Sequence, residues 1–510
     1  MIPSFPSLLS LIGVGLPLLL IVLLQRFGSR NKYTRLTNAP VAGKYWRWEP
    51  DFITRYRFVL NGWAVVHKGW SKYGNSVFTI LRPDSNVTVI PQRYVRELQN
   101  LGDDVLHPIE ALSQDVMGDY TGMNILVGSH LSFNVIRNKL TPNLGDMIPI
   151  MEDEMRYAMT QEMPPCRGEW KEIDLNNIMT RVISRMTSRT WVGNPLCRND
   201  DWHSTNLSTT EQIFHTALAL RVVPSSLQPF LHCLLPSRMK LRRGLEQIHS
   251  YLIPIILQRQ RSLQCDERPP ESPHDVLQWM IDLADQEQNK PQNLATRYVF
   301  AVIGSLFTVS SGLVDCLYDL TENPEMTRVL RIEAQSVTSG DSEWKKGTAK
   351  KLEMLDSFMK ESQRVNAPSP LSFKRIAQRT ITLSDGLVLP KGAYICVVNS
   401  PHIQVDDGTD PTVFDGLRYY KKTLAQASSS RYQYSSTDAS HISFGHGRYA
   451  CPGRFVASVE LKMVLVHMLL NYDLKFTEGK RSRPKNLQFL ELGFQDPSVR
   501  VLIQERGQSN

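Results

Sequence analysis

No CxxC pair occurs in this chain, whose seven cysteines stand singly at 166, 197, 233, 265, 316, 396 and 451. That scatter argues against a zinc site and a disulfide framework, and it fits a reducing compartment. Long basic runs with interleaved aromatics are missing too. The densest are Arg238 to Arg243 and Lys480 to Lys485, so a formal net charge of +8 does not describe a nucleic-acid binder. Basicity of this diffuse kind suits a membrane surface, an acidic protein partner or a generally solvated surface. With 42% hydrophobic and 21% charged residues, the composition fits neither a disordered chain nor a multi-span membrane protein. A length of 510 residues is compatible with several domains or with one large enzyme.

One apolar run stands out, from Leu8 to Leu24, without a charge. At helical rise it spans roughly 25 Å, the short end of a transmembrane helix. A cleaved secretory signal needs basic residues before such a run, whereas here Arg26, Arg30, Lys32 and Arg35 follow it. Positive charge after the segment keeps that side in the cytosol. Residues 1–30 are therefore expected to form a single membrane anchor, with residues 31–510 cytosolic.

The chemistry concentrates at Phe444-Gly445-His446-Gly447-Arg448-Tyr449-Ala450-Cys451-Pro452-Gly453. Glycines before the cysteine and Pro-Gly after it let the backbone fold closely around something large and flat. From Arg454 to Asn471 the apolar spacing Phe455, Val459, Met463, Val466, Leu470 makes one helical stripe. Cys451 thus sits beside a helix N-terminus, whose NH groups and dipole favour a thiolate able to bind metal. An isolated Cys-Pro-Gly reads as a small buried cysteine in a loop. The whole string Phe-x-x-Gly-x-x-x-Cys-x-Gly, however, resembles the haem-binding loop of the cytochrome P450 superfamily, and its continuation to Ala457 and Leu461-Lys462 resembles fungal members.

The resemblance extends to separated motifs. Glu361-Ser362-Gln363-Arg364 matches the ExxR string, and with Arg418 it implies a buried triad that braces the cysteine loop. Gly304-Ser305-Leu306-Phe307-Thr308 resembles the oxygen-activation segment, with Thr308 as the catalytic alcohol. Phe307 stands where an acid is commonest, and Val309 where a second threonine often follows. A threonine here can also bond back to its own helix carbonyl. Asn293 is expected to cap this long helix and Pro324 to stop it. Phe133 and Arg137 fall where the family has a tryptophan and a propionate-gripping arginine, although a surface arginine fits Arg137 as well. Lys374 and Arg375 are further propionate candidates. Tyr449 replaces the basic residue two before the cysteine, and its phenol can still donate one hydrogen bond. Phe444, Gly447, Tyr449 and Gly453 with Arg137, Arg375 and Cys451 make up the implied haem site, with Cys451 the axial iron ligand.

Elsewhere, Ile53 to Tyr73 reads as helix and Ser76 to Pro91 as a hairpin, while His107 to Met123 reads as an irregular loop. Thr380 to Val398 reads as one short antiparallel sheet. Three prolines break the apolar segment Val222 to Pro236, which fits either a lid dipping into the membrane or ordinary core. Ala367 to Leu371 and Leu487 to Phe494 fall where family members line the substrate pocket.

The implied fold is mainly α with a small β region, the haem-thiolate fold, preceded by one transmembrane helix. The implied function is a monooxygenase, carrying haem b, that oxidises a small hydrophobic secondary metabolite of terpenoid, meroterpenoid or indole-diterpene type. Its electrons would come from NADPH-cytochrome P450 reductase, with cytochrome b5 as a second donor, at the endoplasmic reticulum membrane. Two other readings fit the same residues: a haem-thiolate isomerase or dehydratase that consumes no O2, and a non-catalytic haem-binding membrane protein.

Overall fold

A computed structural model describes residues 36, 39–264, 274–339, 344–345, 347–402, 408–426, 431–477 and 482–507. The expected anchor, Leu8 to Leu24, lies outside the described residues.

The chain is mainly helical. Its longer helices are α1 (Asp51–Tyr73), α2 (Pro108–Asp115), α3 (Leu144–Glu162), α4 (Leu175–Trp191), α5 (Asp200–Arg221), α6 (Gln228–Leu234) and α7 (Pro236–Gln264). They continue with α8 (Val276–Leu283), α9 (Pro291–Glu322), α10 (Pro324–Thr338), α11 (Glu353–Val365), α12 (Arg418–Gln426) and α13 (Arg454–Asn471). Starts follow local chemistry: the side chains of Asp174 and Asn199 accept from the NH groups of Asn177 and Trp202, closing the first turns of α4 and α5.

Helix α9 is the axis of the molecule. Apolar nearly all round, it is buried against α4, α7, α11 and α13 in the largest core cluster. It begins three residues earlier than the Asn293 cap requires, because Pro291 supplies a pre-set first turn after Lys290. The Asn293 side chain instead accepts from Arg297 Nε at 2.6 Å. Pro324, the first residue of α10, does stop it.

The β region contains a five-stranded sheet in the order β1 (Phe78–Leu81), β2 (Asn86–Val89), β8 (Tyr394–Val398), β5 (Leu371–Ala377), β3 (Leu106–His107). The expected hairpin is β1–β2, paired Phe78↔Val89 through Leu81↔Asn86. Thr380 to Val398 is not one sheet. Strands β6 (Ile381–Thr382) and β7 (Val388–Leu389) form their own hairpin, while β8 pairs parallel to β2 and antiparallel to β5. Its residues are all buried, so the run Tyr-Ile-Cys-Val-Val lacks the alternation of a strand with one wet face. Strand β5 was not expected from the sequence. A three-stranded sheet joins β4 (Lys171–Ile173), β12 (Val501–Glu505) and β9 (Tyr472–Phe476), and β10 (Leu487–Phe489) pairs with β11 (Leu492–Phe494) as a hairpin.

Two further segments differ from expectation. His107 to Met123 is largely helical: His107 Nδ1 accepts from Glu110 N, and Pro108 starts α2. Within Val222 to Pro236 the short helix α6 forms with Pro229 in its first turn, and Phe230 and Leu234 are 73% and 78% exposed. Those side chains are not core.

Candidate active site

The cysteine loop is built by a chain folding back on itself. Cys451 N donates to Phe444 O at 2.8 Å, Ala450 N to Gly447 O at 3.0 Å, and Arg448 N to Gln99 O at 3.0 Å. Gly447 has φ +75°, and a Cβ there would collide with the Gln99 carbonyl, so the loop depends on glycine for both conformation and space. Gly453 caps α13, and the NH groups of Gly453 and Arg454 turn toward the sulfur. Phe444 packs edge-on against Tyr434, ring centres 5.3 Å apart. Burial pushes the Cys451 thiol up, against the pull of those NH groups and the Arg454 guanidinium. Helix-end polarity alone does not hold the sulfur as thiolate; a metal cation facing it would.

Glu361 is fully buried between two guanidiniums. Arg364 donates from Nη2 and Nε to its two oxygens at 2.7 and 2.9 Å, and Arg418 Nε donates at 3.2 and 3.3 Å. Asp415 N adds a fifth bond at 2.9 Å. The remaining arginine donors go to the carbonyls of Pro411 and Val413 and to Thr409. The three motif residues, 57 positions apart at the extremes, form one satisfied cluster.

The candidate propionate residues part company. Arg375 is buried on β5, with Nη1 donating to the Lys374 carbonyl at 2.8 Å and Nη2 unpartnered among the described residues. Burial lowers it to about 10, opposed by Tyr449 and Tyr394. Lys374 points away: its ammonium donates to Asp115 at 2.6 Å, so it is not available for a propionate. Arg137 is exposed in the wide turn Ile136–Leu140, within electrostatic reach of Arg454. The Tyr449 hydroxyl accepts from Asp103 N at 3.1 Å, while Asp103 also holds His130 Nε2 at 2.7 Å. The His130 and Phe133 rings lie about the Tyr449 ring at 6.1 and 6.0 Å.

Helix α9 exposes Gly304 and Thr308 in the middle of an otherwise largely buried helix. Among the described residues outside its own stretch of helix, no atom lies within 4 Å of where a Gly304 Cβ would stand, and Thr308 Oγ1 donates to the Gly304 carbonyl at 2.8 Å. Phe307 packs on Phe214 of α5 at 4.9 Å and on Phe494 of β11 at 5.9 Å between ring centres. The position where an acid is commonest therefore belongs to an aromatic wall.

Residues 61–503 match the family described as Cytochrome P450. The chain is a cytochrome P450. Over 478 residues it is 38% identical to the cytochrome P450 monooxygenase AN1598 of Emericella nidulans, covering 93% of this chain and 89% of that protein. It is 37% identical to the ent-kaurene oxidase P450-4 of Gibberella fujikuroi, covering 92% of each, and 35% identical to the cytochrome P450 monooxygenase paxP of Penicillium paxilli, covering 90% and 88%. Among solved structures, the retinoic acid-bound cyanobacterial CYP120A1 superposes with a TM-score of 0.68 at 19% identity, over 92% of this P450 and all of that chain. Membership makes the protein an oxidoreductase of the monooxygenase class with a thiolate-held haem. The residues present fit that group: a half-buried cysteine at a helix N-terminus, a buried arginine with a spare donor, and an open flank on α9 beside Gly304 and Thr308.

Sequence reasoning missed Phe214, whose role depends on α5 crossing α9 in space. It also missed a buried charge cluster around Glu491. Its members are up to 409 residues apart and no local pattern links them.

Proposed function

We propose that this P450 is a membrane-anchored monooxygenase of the endoplasmic reticulum that oxidises a rigid, apolar terpenoid-type intermediate. The observation that carries the reading is the wall of Phe214, Phe307 and Phe494 beside Thr308, which offers apolar faces and no charge to a substrate at the groove. Similarity over nine-tenths of the chain to an ent-kaurene oxidase supports the same class.

Haem b, when bound, supplies reductive activation of O2, placing one oxygen atom in the substrate and releasing the other as water. Electrons would arrive singly from NADPH-cytochrome P450 reductase, with cytochrome b5 as a second donor. Cys451 would hold the iron and Arg375 a propionate, through its unpartnered Nη2. Arg137, exposed on the preceding turn, is a second propionate partner. Phe444 and Gly453 frame the sulfur, Gly447 shapes the turn, and Tyr449 steadies the loop through Asp103. The Glu361–Arg364–Arg418 cluster keeps the loop in place. Thr308 would hold a water that passes protons into the groove. Because Phe307 gives no acid, those protons must come from solvent and neighbouring hydroxyls.

Microsomes holding the chain and a fungal reductase, fed ent-kaurene and related polycyclic hydrocarbons under 18O2, test the proposal. One labelled oxygen in the product is expected. Products without label would leave the isomerase or dehydratase reading. Failure of the ferrous carbonyl to give the red-shifted Soret band of thiolate ligation would remove the haem assignment.

A further inference from the structure

The hairpin β10–β11 carries Phe494 into the aromatic wall, and its tip carries a buried carboxylate. Glu491 is 0% exposed, and Oε1 accepts from Arg221 Nη2 at 2.7 Å and Arg82 Nη1 at 3.0 Å, with Lys374 Nζ at 3.9 Å. Arg82 also pairs with Asp115 at 2.9 Å and Asp84 at 3.4 Å, and Lys374 pairs with Asp115 at 2.6 Å. Three cations thus face three carboxylates in an enclosed, balanced network. Burial alone would push the Glu491 carboxyl up, but Arg221, Arg82 and Lys374 bring it down to about 2.

Five of the six groups belong to the sheet side: the β1–β2 turn, α2, β5 and the hairpin tip. The tip is wedged in place. Leu490 has φ +55°, and its carbonyl lies against Gly62 of α1 so closely that a Cβ there would collide with it. Arg221 alone comes from the helical layer above, as the last residue of α5, where the chain leaves for the proline-broken, partly exposed α6 segment. Seven residues, two helical turns, separate it from Phe214, so both side chains lie on one face of α5. That face therefore makes two contacts, with Phe214 on Phe307 and, two turns on, Arg221 on the buried Glu491 and, at 3.7 Å, Asp84. Lifting α5 to admit a bulky molecule must break both contacts. Without Arg221, Glu491 still touches Arg82 and Lys374, but three carboxylates then face two cations. The separated state is thus uphill without being forbidden.

We propose that the Arg221–Glu491 ion pair is the outer clasp of the substrate pocket, holding α5 on the β10–β11 tip and setting how fast bulky molecules enter and leave. The inference rests on the haem-pocket reading above.

The test uses purified full-length holoenzyme and two iron-ligating probes, imidazole and the much bulkier clotrimazole, with binding followed by stopped-flow Soret shift. The double variant Arg221→Met/Glu491→Gln removes one charge of each sign and keeps the network balanced. It should bind and release clotrimazole about tenfold faster, with imidazole rates unchanged. Lys374→Met/Asp115→Asn, equally balanced but not tied to α5, should leave clotrimazole rates as in the wild type. Arg221→Lys, which keeps the charge, should recover much of the slow binding. Clotrimazole rates unaltered in the first double variant would overturn the clasp. Equal acceleration of both probes, or by both double variants, would also overturn it, since either marks general loosening. A wild-type protein giving no Soret shift with imidazole would instead remove the haem pocket, and the clasp with it.

Discussion

Glu361→Gln should be the most damaging substitution in the structural cluster. The carboxylate is 0% exposed and takes five hydrogen bonds, four from guanidiniums that are themselves 0% and 4% exposed. A neutral amide of the same shape leaves two buried cations without a counter-charge and turns an NH2 group toward donors. Stranding buried charge in this way costs roughly 3 to 5 kcal/mol. At about 1 °C per kcal/mol for a domain of this size, the thermal midpoint should fall by about 3 to 5 °C. Arg418→Met should cost less, because Glu361 keeps the two-pronged Arg364 contact and the Asp415 NH. Differential scanning calorimetry of the purified proteins, with haem content from absorbance, measures both. A midpoint within about 2 °C of wild type for Glu361→Gln, or a larger loss for Arg418→Met, would refute the view that this carboxylate is the hub.

Gly447→Ala should prevent the loop from closing on Gln99 and give protein of low haem occupancy, read as the ratio of Soret to protein absorbance. Glu460 on α13 is buried, and burial alone raises it to about 8, so the folded chain holds its proton across pH values where the unfolded chain has lost it. Its favourable effect is full below about pH 4.5 and declines as pH rises toward 8. Glu460→Gln should therefore flatten the fall of thermal midpoint between about pH 5 and 8, and an unchanged slope would contradict this. Thr308→Val keeps the shape but removes the hydroxyl. It should lower product formation about 10²-fold with substrate affinity retained, as measured by turnover and by spectral titration.

The sequence alone determined the parts whose meaning is local. Cys451 and its glycines, the apolar stripe of α13 and the ExxR spacing are short-range patterns in which chemistry and geometry sit within a few residues. The β1–β2 hairpin was legible for the same reason. Tertiary structure decided what depends on meetings between distant segments. It moved β8 out of a local hairpin and into the centre of a sheet, where pairing partners outrank sequence neighbours. It turned Lys374 from a propionate candidate into a partner of Asp115, and gave Phe307 to an aromatic wall shared with α5 and β11. It assembled the Glu491 network from four other segments of the chain. Periodicity records which face of an element is buried. A buried charge records only that some partner exists, and the fold supplies which one.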